Sequence, residues 1–502
     1  MSTAIGGAGS DWHKASDASS IGLRNFAQSS FARLHGVAKN IAVIAMLQML
    51  LPITLGMFFL ALVRRLLVRE PALPSQSCEE VMTGKTVLIS GGKMTKSLQL
   101  ARSMKRAGAR VLLCETSDYA ITAHQFSNCV DAFFITPDPD DAGYAKSLRD
   151  IVVFESVDMY IPVCSPVASI SDSHARRELD SLCDVVHPSP ETIDMLDDKF
   201  QLARAAQAIG LGACESFWIS DPSQVTNIDF GAYQRPFILK SIVYDSVRRL
   251  DLTRLPRQTA AETAAFVQRL PISNSKPWVL QEFIPGKEFC THSTVRDGQL
   301  KLHVCCESSA SQVNYESVDE PEIEAWVHRF VSHYKLTGQI SFDFIRADDD
   351  GRLYVIECNP RTHSAITAFH DHPDVAHAYV ASQKQHAGHE PTAPANPRSN
   401  DDVIRPLSSS KPTYWLAHEM WRIWRSLLSF EGSLSSSWND VASRVQTVVH
   451  GKDAVFDWDD PLPFFMLHHF HIPRLLWRDI LSGHGWIKID FNIGKLVQEG
   501  GD

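Results

Sequence analysis

A chain of 502 residues with 44% hydrophobic and 21% charged side chains is long enough for two or three domains and apolar enough to bury a core, which excludes a disordered or fibrous polypeptide. Its 48 Lys and Arg are outnumbered by 58 Asp and Glu, for a formal net charge of -10, and this argues against nucleic acid as a partner, because phosphate binding calls for clustered basic side chains. Ten cysteines are scattered without a CxxC or a Cys/His metal spacing, so they read as free thiols of a reducing compartment.

Residues 1–40 are rich in Ser, Ala and Gly and read as a mobile N-terminal tail with a short helix near Ile21–Val37. Ile41–Val63 (IAVIAMLQMLLPITLGMFFLALV) carries no charge and is followed by Arg64 and Arg65. As a helix it reaches roughly 35 Å, enough for a bilayer core, so residues 41–68 are expected to be a transmembrane or membrane-anchor helix with the catalytic domains in the cytosol. Residues 69–84 form a proline-containing linker.

From residue 85 the pattern changes. Thr86–Ser90 is a short apolar strand, Gly91-Gly92 turns it, and Thr95–Ala107 is an amphipathic helix. Ala109–Glu115, Asp131–Ile135 and Met159–Val163 are further strands with helices between them. Alternation at this pitch implies a parallel sheet covered on both faces, so 85–195 is expected to be a Rossmann-like α/β domain. No GxGxxG follows the first strand, which speaks against a dinucleotide-dependent oxidoreductase.

After Asp197 a helix at Lys199–Ile209 leads into strands at Glu215–Ile219, Phe237–Lys240, Trp278–Phe283, Glu288–Val295, Gln299–Cys306, Gln339–Ile345 and Leu353–Cys358. Hairpin spacing and turns such as Arg296-Asp297-Gly298 make 196–385 an α+β domain with antiparallel sheets. Residues 386–412 are a second linker, and 413–502 are a Trp-rich helical extension in which Pro461–Trp477 reads as a folded cap, with a membrane-surface segment as the alternative.

The chemistry-bearing residues fall in the α+β part. Asp343 (SFDF) and Glu357 and Asn359 (VIECNPR) sit on strands joined by a short polar turn. Alternate residues share a face, so two carboxylates and an amide oxygen can point together as hard ligands for Mg2+. Arg361, two residues on, can offset charge on a transferred phosphoryl group. Lys240 ends an apolar strand and Lys199 follows two aspartates, each a point charge suited to phosphate. Trp278–Glu288 runs a strand into a turn whose backbone can meet a purine edge, with a carboxylate beyond for ribose hydroxyls.

The order of these residues, two lysines, a hinge with Glu, an Asp and then Glu-x-Asn-x-Arg, resembles the ATP-grasp superfamily. The resemblance implies that Lys199, Lys240 and Ser246 hold phosphates, that Gln281, Glu282 and Ile284 frame adenine, and that Glu288 binds ribose. It further implies that Asp343, Glu357 and Asn359 bind Mg2+, with Mn2+ as a substitute, and that Arg361 is catalytic. Three positions depart from the usual pattern: Tyr244–Arg249 replaces a glycine-rich phosphate loop, Gln281 stands where Glu is common, and Ser341 stands where some relatives carry Arg. SGGKMTKSLQLAR (90–102), YIPVCSPVAS (160–169), MLDDKF (195–200), YDSVRRLDL (244–252), ECNPRTHSAI (357–366) and IDFNIGKLV (489–497) are together similar to the mycosporine-glycine synthase type. That likeness implies ATP-dependent, ADP-forming condensation of 4-deoxygadusol, a cyclohexenone, with an amino acid, typically glycine. Lys93, His124 and Ser165 are candidates to hold the cyclohexenone, because ligands sit at the carboxyl ends of parallel strands. The alternatives are a carboxylate–amine ligase of another substrate class and a membrane-tethered inactive nucleotide-binding protein.

Overall fold

The structure is a computed structural model that describes residues 34–67, 81–163, 165, 168–242, 248, 251–308, 314–380, 403–428, 434–483 and 485–498. Its first sheet contains β1 (Thr86–Ile89), β2 (Arg110–Thr116), β3 (Ala132–Thr136), β4 (Met159–Ile161) and β5 (Asp184–Val185). All pairs are parallel and the spatial order is β3-β2-β1-β4-β5. Leu88 and Leu112 pack into one apolar cluster, and Val87, Ile89, Val111 and Leu113 into another. Period-2 alternation thus buries both faces of a parallel sheet. The turn after β1 requires glycine at residue 91, where φ is +66° and a Cβ would stand 1.9 Å from the Val163 carbonyl.

Two antiparallel sheets follow. One holds β6 (Ser216–Ile219), β7 (Phe237–Ser241) and β8 (Trp278–Glu282) in the order β6-β8-β7. The other holds β9 (Gly286–Arg296), β10 (Gln299–Glu307), β11 (Gly338–Ala347) and β12 (Leu353–Asn359) in the order β10-β9-β11-β12. They adjoin at β12, where the Gln281 amide donates to the Ile356 carbonyl at 3.0 Å and Ala213 bridges Val355. The back of the larger sheet is fixed by rings: Trp326 and Phe330 of helix Pro321–His333 stack at 5.1 Å and meet Phe342 and Phe344. Burying Phe342 and Phe344 there forces Ser341 and Asp343 to the opposite face.

The C-terminal extension folds back on the parallel-sheet domain. Arg102 and Asp460 form a buried ion pair at 2.9 Å, and Asp460 also accepts from the Ser127 hydroxyl and the Asn128 backbone N–H. The Trp415 indole donates to Thr95, whose backbone N–H donates to the Asn492 carbonyl. Pro461–Trp477 thus belongs to a packed cap, with Phe464, Leu467, Ile472 and Leu476 in the core.

Residues 34–67 form a helix with a turn at Leu50, apolar enough to cross a membrane by length and composition. It stands against that cap. Lys39 donates to the Trp486 carbonyl at 2.9 Å, Asn40 donates to Asp479 at 2.8 Å, and Thr54 lies 2.6 Å from His469 Nε2. Leu47 is fully buried, and Phe58 packs on Phe465.

Removing one partner of a buried ion pair strands the other charge. Asp460→Ala is expected to destabilise the protein by about 3 kcal/mol, read by chemical denaturation. An unchanged midpoint would show that the cap is not held by this pair.

Candidate active site

β11 and β12 are paired so that Asp343 lies opposite Glu357, and Ser341 opposite Asn359. All four therefore share the face that the aromatic core leaves free. The Asn359 amide donates to Asp343 Oδ2 at 3.4 Å, while Asp343 Oδ1 is buried with no partner among the described residues. Burial, and then Glu357 beside it, pushes the Asp343 carboxyl well above the usual carboxylate range. Glu357 moves the other way, because the Lys199 ammonium holds it far below that range despite its burial. The Lys199–Glu357 contact is 3.0 Å.

Lys199 is delivered by the first residue of helix Lys199–Ala208, whose N-cap Asp198 accepts from the N–H groups of Phe200 and Gln201. Burial works to lower the Lys199 pKa, but Glu357 outweighs it and the net shift is upward. Lys240, near the end of β7, is shifted downward by burial, opposed by Glu357 and Glu288. The Arg361 guanidinium donates to the Asn359 side-chain oxygen through Nη2 and leaves Nη1 buried without a partner among the described residues. Lys199, Lys240, Glu288, Asp343, Glu357, Asn359 and Arg361 thus form one electrostatic neighbourhood.

Gln281 spends its amide on the Ile356 carbonyl. Glu282 accepts from the Glu215 N–H at 3.3 Å and faces Arg235 at 3.5 Å, so its side chain is engaged in the fold. Ile284 packs with Cys214, Ile345 and Ala347. What this hinge offers a ligand is therefore backbone and the wall beside it. Ser246 lies outside the described residues.

The three cyclohexenone candidates all have partners within the fold. Lys93 pairs with Glu115 at 2.9 Å and stands over the Tyr119 ring. His124 is fully buried against the Gly92 carbonyl, and desolvation lowers its pKa to about 3. Ser165 accepts from the Ala168 N–H at 3.4 Å beside helix Ala168–Leu179. The cap explains the first two: Gly494 backs onto Lys93, and His471 meets Ala123, contacts that no local motif announces.

Asp197 belongs to the site although no motif marks it. It titrates above the usual range, pushed by burial and opposed by Arg361 and Lys199. The adjacent acids Asp197-Asp198 before Lys199 were its signal, and the structure gives them separate duties, Asp198 as cap and Asp197 toward the site.

The two carboxylates, with Asp343 Oδ1 buried and unmatched, are donors suited to a hard divalent cation, whereas the Asn359 amide turns its nitrogen to Asp343 and its oxygen to Arg361 and would join them by turning over. Among the described residues no group of three or more His, Cys, Asp or Glu gathers for a metal. The protein contribution is therefore small, as suits an ion completed by water and phosphate oxygens.

No family model matches the sequence, and no curated protein matches it. Solved structures do. One is N5-carboxyaminoimidazole ribonucleotide synthetase in complex with ADP, 15% identical, with a TM-score of 0.45, covering 58% of this chain and 74% of that one. Another is the N5-carboxyaminoimidazole synthetase of Staphylococcus aureus with ADP, at 14%, 0.44, 58% and 74%. A third is the biotin carboxylase domain of the Hydrogenobacter thermophilus 2-oxoglutarate carboxylase with MgADP and bicarbonate, at 15%, 0.45, 56% and 64%. These are distant likenesses over little more than half of this chain.

An acid raised by burial costs stability once it ionises, and the cost is present above its unfolded pKa. Asp343→Asn is therefore expected to raise the melting temperature of metal-free protein at neutral pH while cancelling the stabilisation by MgADP. A lower metal-free melting temperature would contradict the shift assigned to Asp343.

Proposed function

We propose that this chain is an ADP-forming ATP-grasp ligase that phosphorylates an oxygen of 4-deoxygadusol and condenses it with an amino acid, typically glycine, to give a mycosporine. The observation that carries the ligase reading is the shared face of Asp343, Glu357 and Asn359, with Lys199, Lys240 and Arg361 around it. The substrate rests on the six sequence segments similar to mycosporine-glycine synthases.

An enol oxygen is a poor leaving group, and phosphorylation makes it a good one. The acceptor oxygen attacks the γ-phosphorus, the bond to the β,γ-bridging oxygen breaks, and ADP departs with the electron pair. The amine nitrogen then attacks the carbon bearing phosphate, the carbon–oxygen bond breaks, inorganic phosphate leaves, and the amine proton passes to solvent. Lys199 and Lys240 offset the phosphate charge, and Arg361, held by Asn359, meets the moving phosphoryl group. In this reading Glu288 meets the ribose hydroxyls and the backbone from Gln281 to Ile284 meets adenine. Mg2+ held by Asp343, Glu357 and Asn359, or Mn2+ in its place, neutralises phosphate charge when bound.

With MgATP, 4-deoxygadusol and glycine, the protein is expected to release phosphate and give a red-shifted ultraviolet absorbance. Both should fall about 100-fold or more in Glu357→Gln, the several kcal/mol that a metal contact supplies. Phosphate release with other acid–amine pairs only would retain the ligase and discard the substrate.

For the N-terminal helix the reading is a membrane contact in the plane of the bilayer. Every exposed residue from 41 to 63 is apolar, including Met49, Ile53, Phe59 and Leu60, whereas Asn40 and Thr54 turn inward. Contacts with the cap run from Lys39 to Phe58, roughly 28 Å of helix, which leaves one face for lipid and favours lying on the membrane over crossing it. Exposed Arg64 and Arg65 suit anionic headgroups. In vesicle cosedimentation, Phe59→Asp with Leu60→Asp is expected to weaken binding at least about tenfold. Equal partitioning would remove this face from the membrane.

A further inference from the structure

The face that carries Asp343 continues into a second, differently built cluster. On either side of Ser341 the β9–β11 register pairs Ile340 with Ser293 and Asp343 with Cys290, which brings Ser341 level with His292. His292 and Ser341 are both fully buried. The His292 Nδ1 accepts the His363 backbone N–H at 3.3 Å. Its hydrogen is therefore on Nε2, a donor, and Nε2 finds no partner among the described residues. The same holds for the Ser341 hydroxyl, the fully buried Thr362 hydroxyl and the Nη1 of Arg361. Lys96 closes the cluster from the parallel-sheet domain, its ammonium donating to the Thr362 carbonyl at 2.6 Å. Lys96 is the leading charge acting on His363 and Arg361 the next, and Lys96 also acts on His292, so the four stand within electrostatic reach of one another.

A buried hydrogen-bonding group left unmet is costly, and most folded proteins meet nearly all of theirs. Here four unmet groups stand together, three of them on residues shielded completely from solvent and the fourth on the Arg361 guanidinium, with the Lys96 amine beside them. The set is rich in donors, and desolvation keeps His292 and His363 neutral, so they add N–H groups without adding charge. Such a set is complementary to an anion with oxygens in one plane. Its position is informative too. It adjoins Asp343 through Ser341 and Asn359 through Arg361, at the end of the face where the γ-phosphate would arrive.

We propose that His292, Ser341, Thr362, Arg361 and Lys96 form the acceptor site, holding a small planar organic acid as its carboxylate or enolate. This rests on the ligase reading above and replaces Lys93, His124 and Ser165 as the residues that hold the acceptor. An enolised cyclic 1,3-diketone such as 4-deoxygadusol carries two oxygens sharing one negative charge. One can be fixed by the His292 and Thr362 donors while the other faces the phosphate.

The full chain is assayed with MgATP and glycine against 4-deoxygadusol and a panel of small carboxylic acids, and the acid that supports phosphate release is the probe. His292→Leu is expected to raise the KM for that acid about tenfold or more, with the KM for ATP changed less than twofold. Thr362→Val removes one hydroxyl at constant shape and is expected to move the same constant in the same direction, which keeps the test alive if His292→Leu does not fold. Turnover with a carboxylic acid alone, showing these shifts, discards the mycosporine reading and supports the acceptor site. An unchanged acid KM in folded Thr362→Val and His292→Leu overturns the site and leaves the ligase reading standing. Absence of turnover with every acid overturns both.

Discussion

The structure turns on two carboxylates placed side by side. Asp343 and Glu357 are directly opposed on neighbouring strands, an arrangement that like charges resist. Three features hold it. The aromatic layer of Trp326, Phe330, Phe342 and Phe344 fixes which way β11 faces. Lys199, at the start of a capped helix, neutralises Glu357. Asp343 shifts toward its protonated form. A pair held at this cost, with one buried oxygen unmatched, is a site prepared for positive charge from outside the chain.

This pair also separates the ends of a continuous face. Toward β7 and β8 lie lysines and hinge backbone suited to a nucleotide. Toward His292 and Thr362 lies a closed cluster of hydrogen-bond donors suited to an acid. The cap formed by the C-terminal extension reaches Ser364, whose hydroxyl accepts from the Asn492 amide. It braces the first helix of the parallel-sheet domain through Arg102, Thr95 and Lys93, and that helix presents Lys96. An extension far along the chain is thereby coupled to the helix that carries Lys96, and the same extension packs against the apolar N-terminal helix.

Much of this was legible in the residues. Strand alternation placed β11 and β12 to within two residues, and the spacing of Glu357 and Asn359 put both on one face, because the period of a strand is two. The strand expected at Ala109–Glu115 is found at Arg110–Thr116, a shift within the ambiguity of strand ends. What was not legible depended on contacts between distant segments. Lys93 looked free in a glycine turn, yet Glu115 and the cap enclose it. Lys96, three residues on, carried no distinguishing pattern until the fold brought it to Thr362. His292 sits in an ordinary-looking strand, and only the register against β11 shows what it faces. The apolar segment announced its composition but not that its few polar residues would find partners in the cap.

Binding of a divalent cation together with nucleotide at the Asp343–Glu357–Asn359 face is open to direct measurement. Electron paramagnetic resonance of Mn2+ titrated into the full chain, with and without ADP, reads this directly. ADP is expected to strengthen Mn2+ binding to wild-type protein, and the ADP-dependent gain is expected to disappear in Glu357→Gln. Mn2+ binding that ignores ADP, or that survives unchanged in Glu357→Gln, would contradict this assignment.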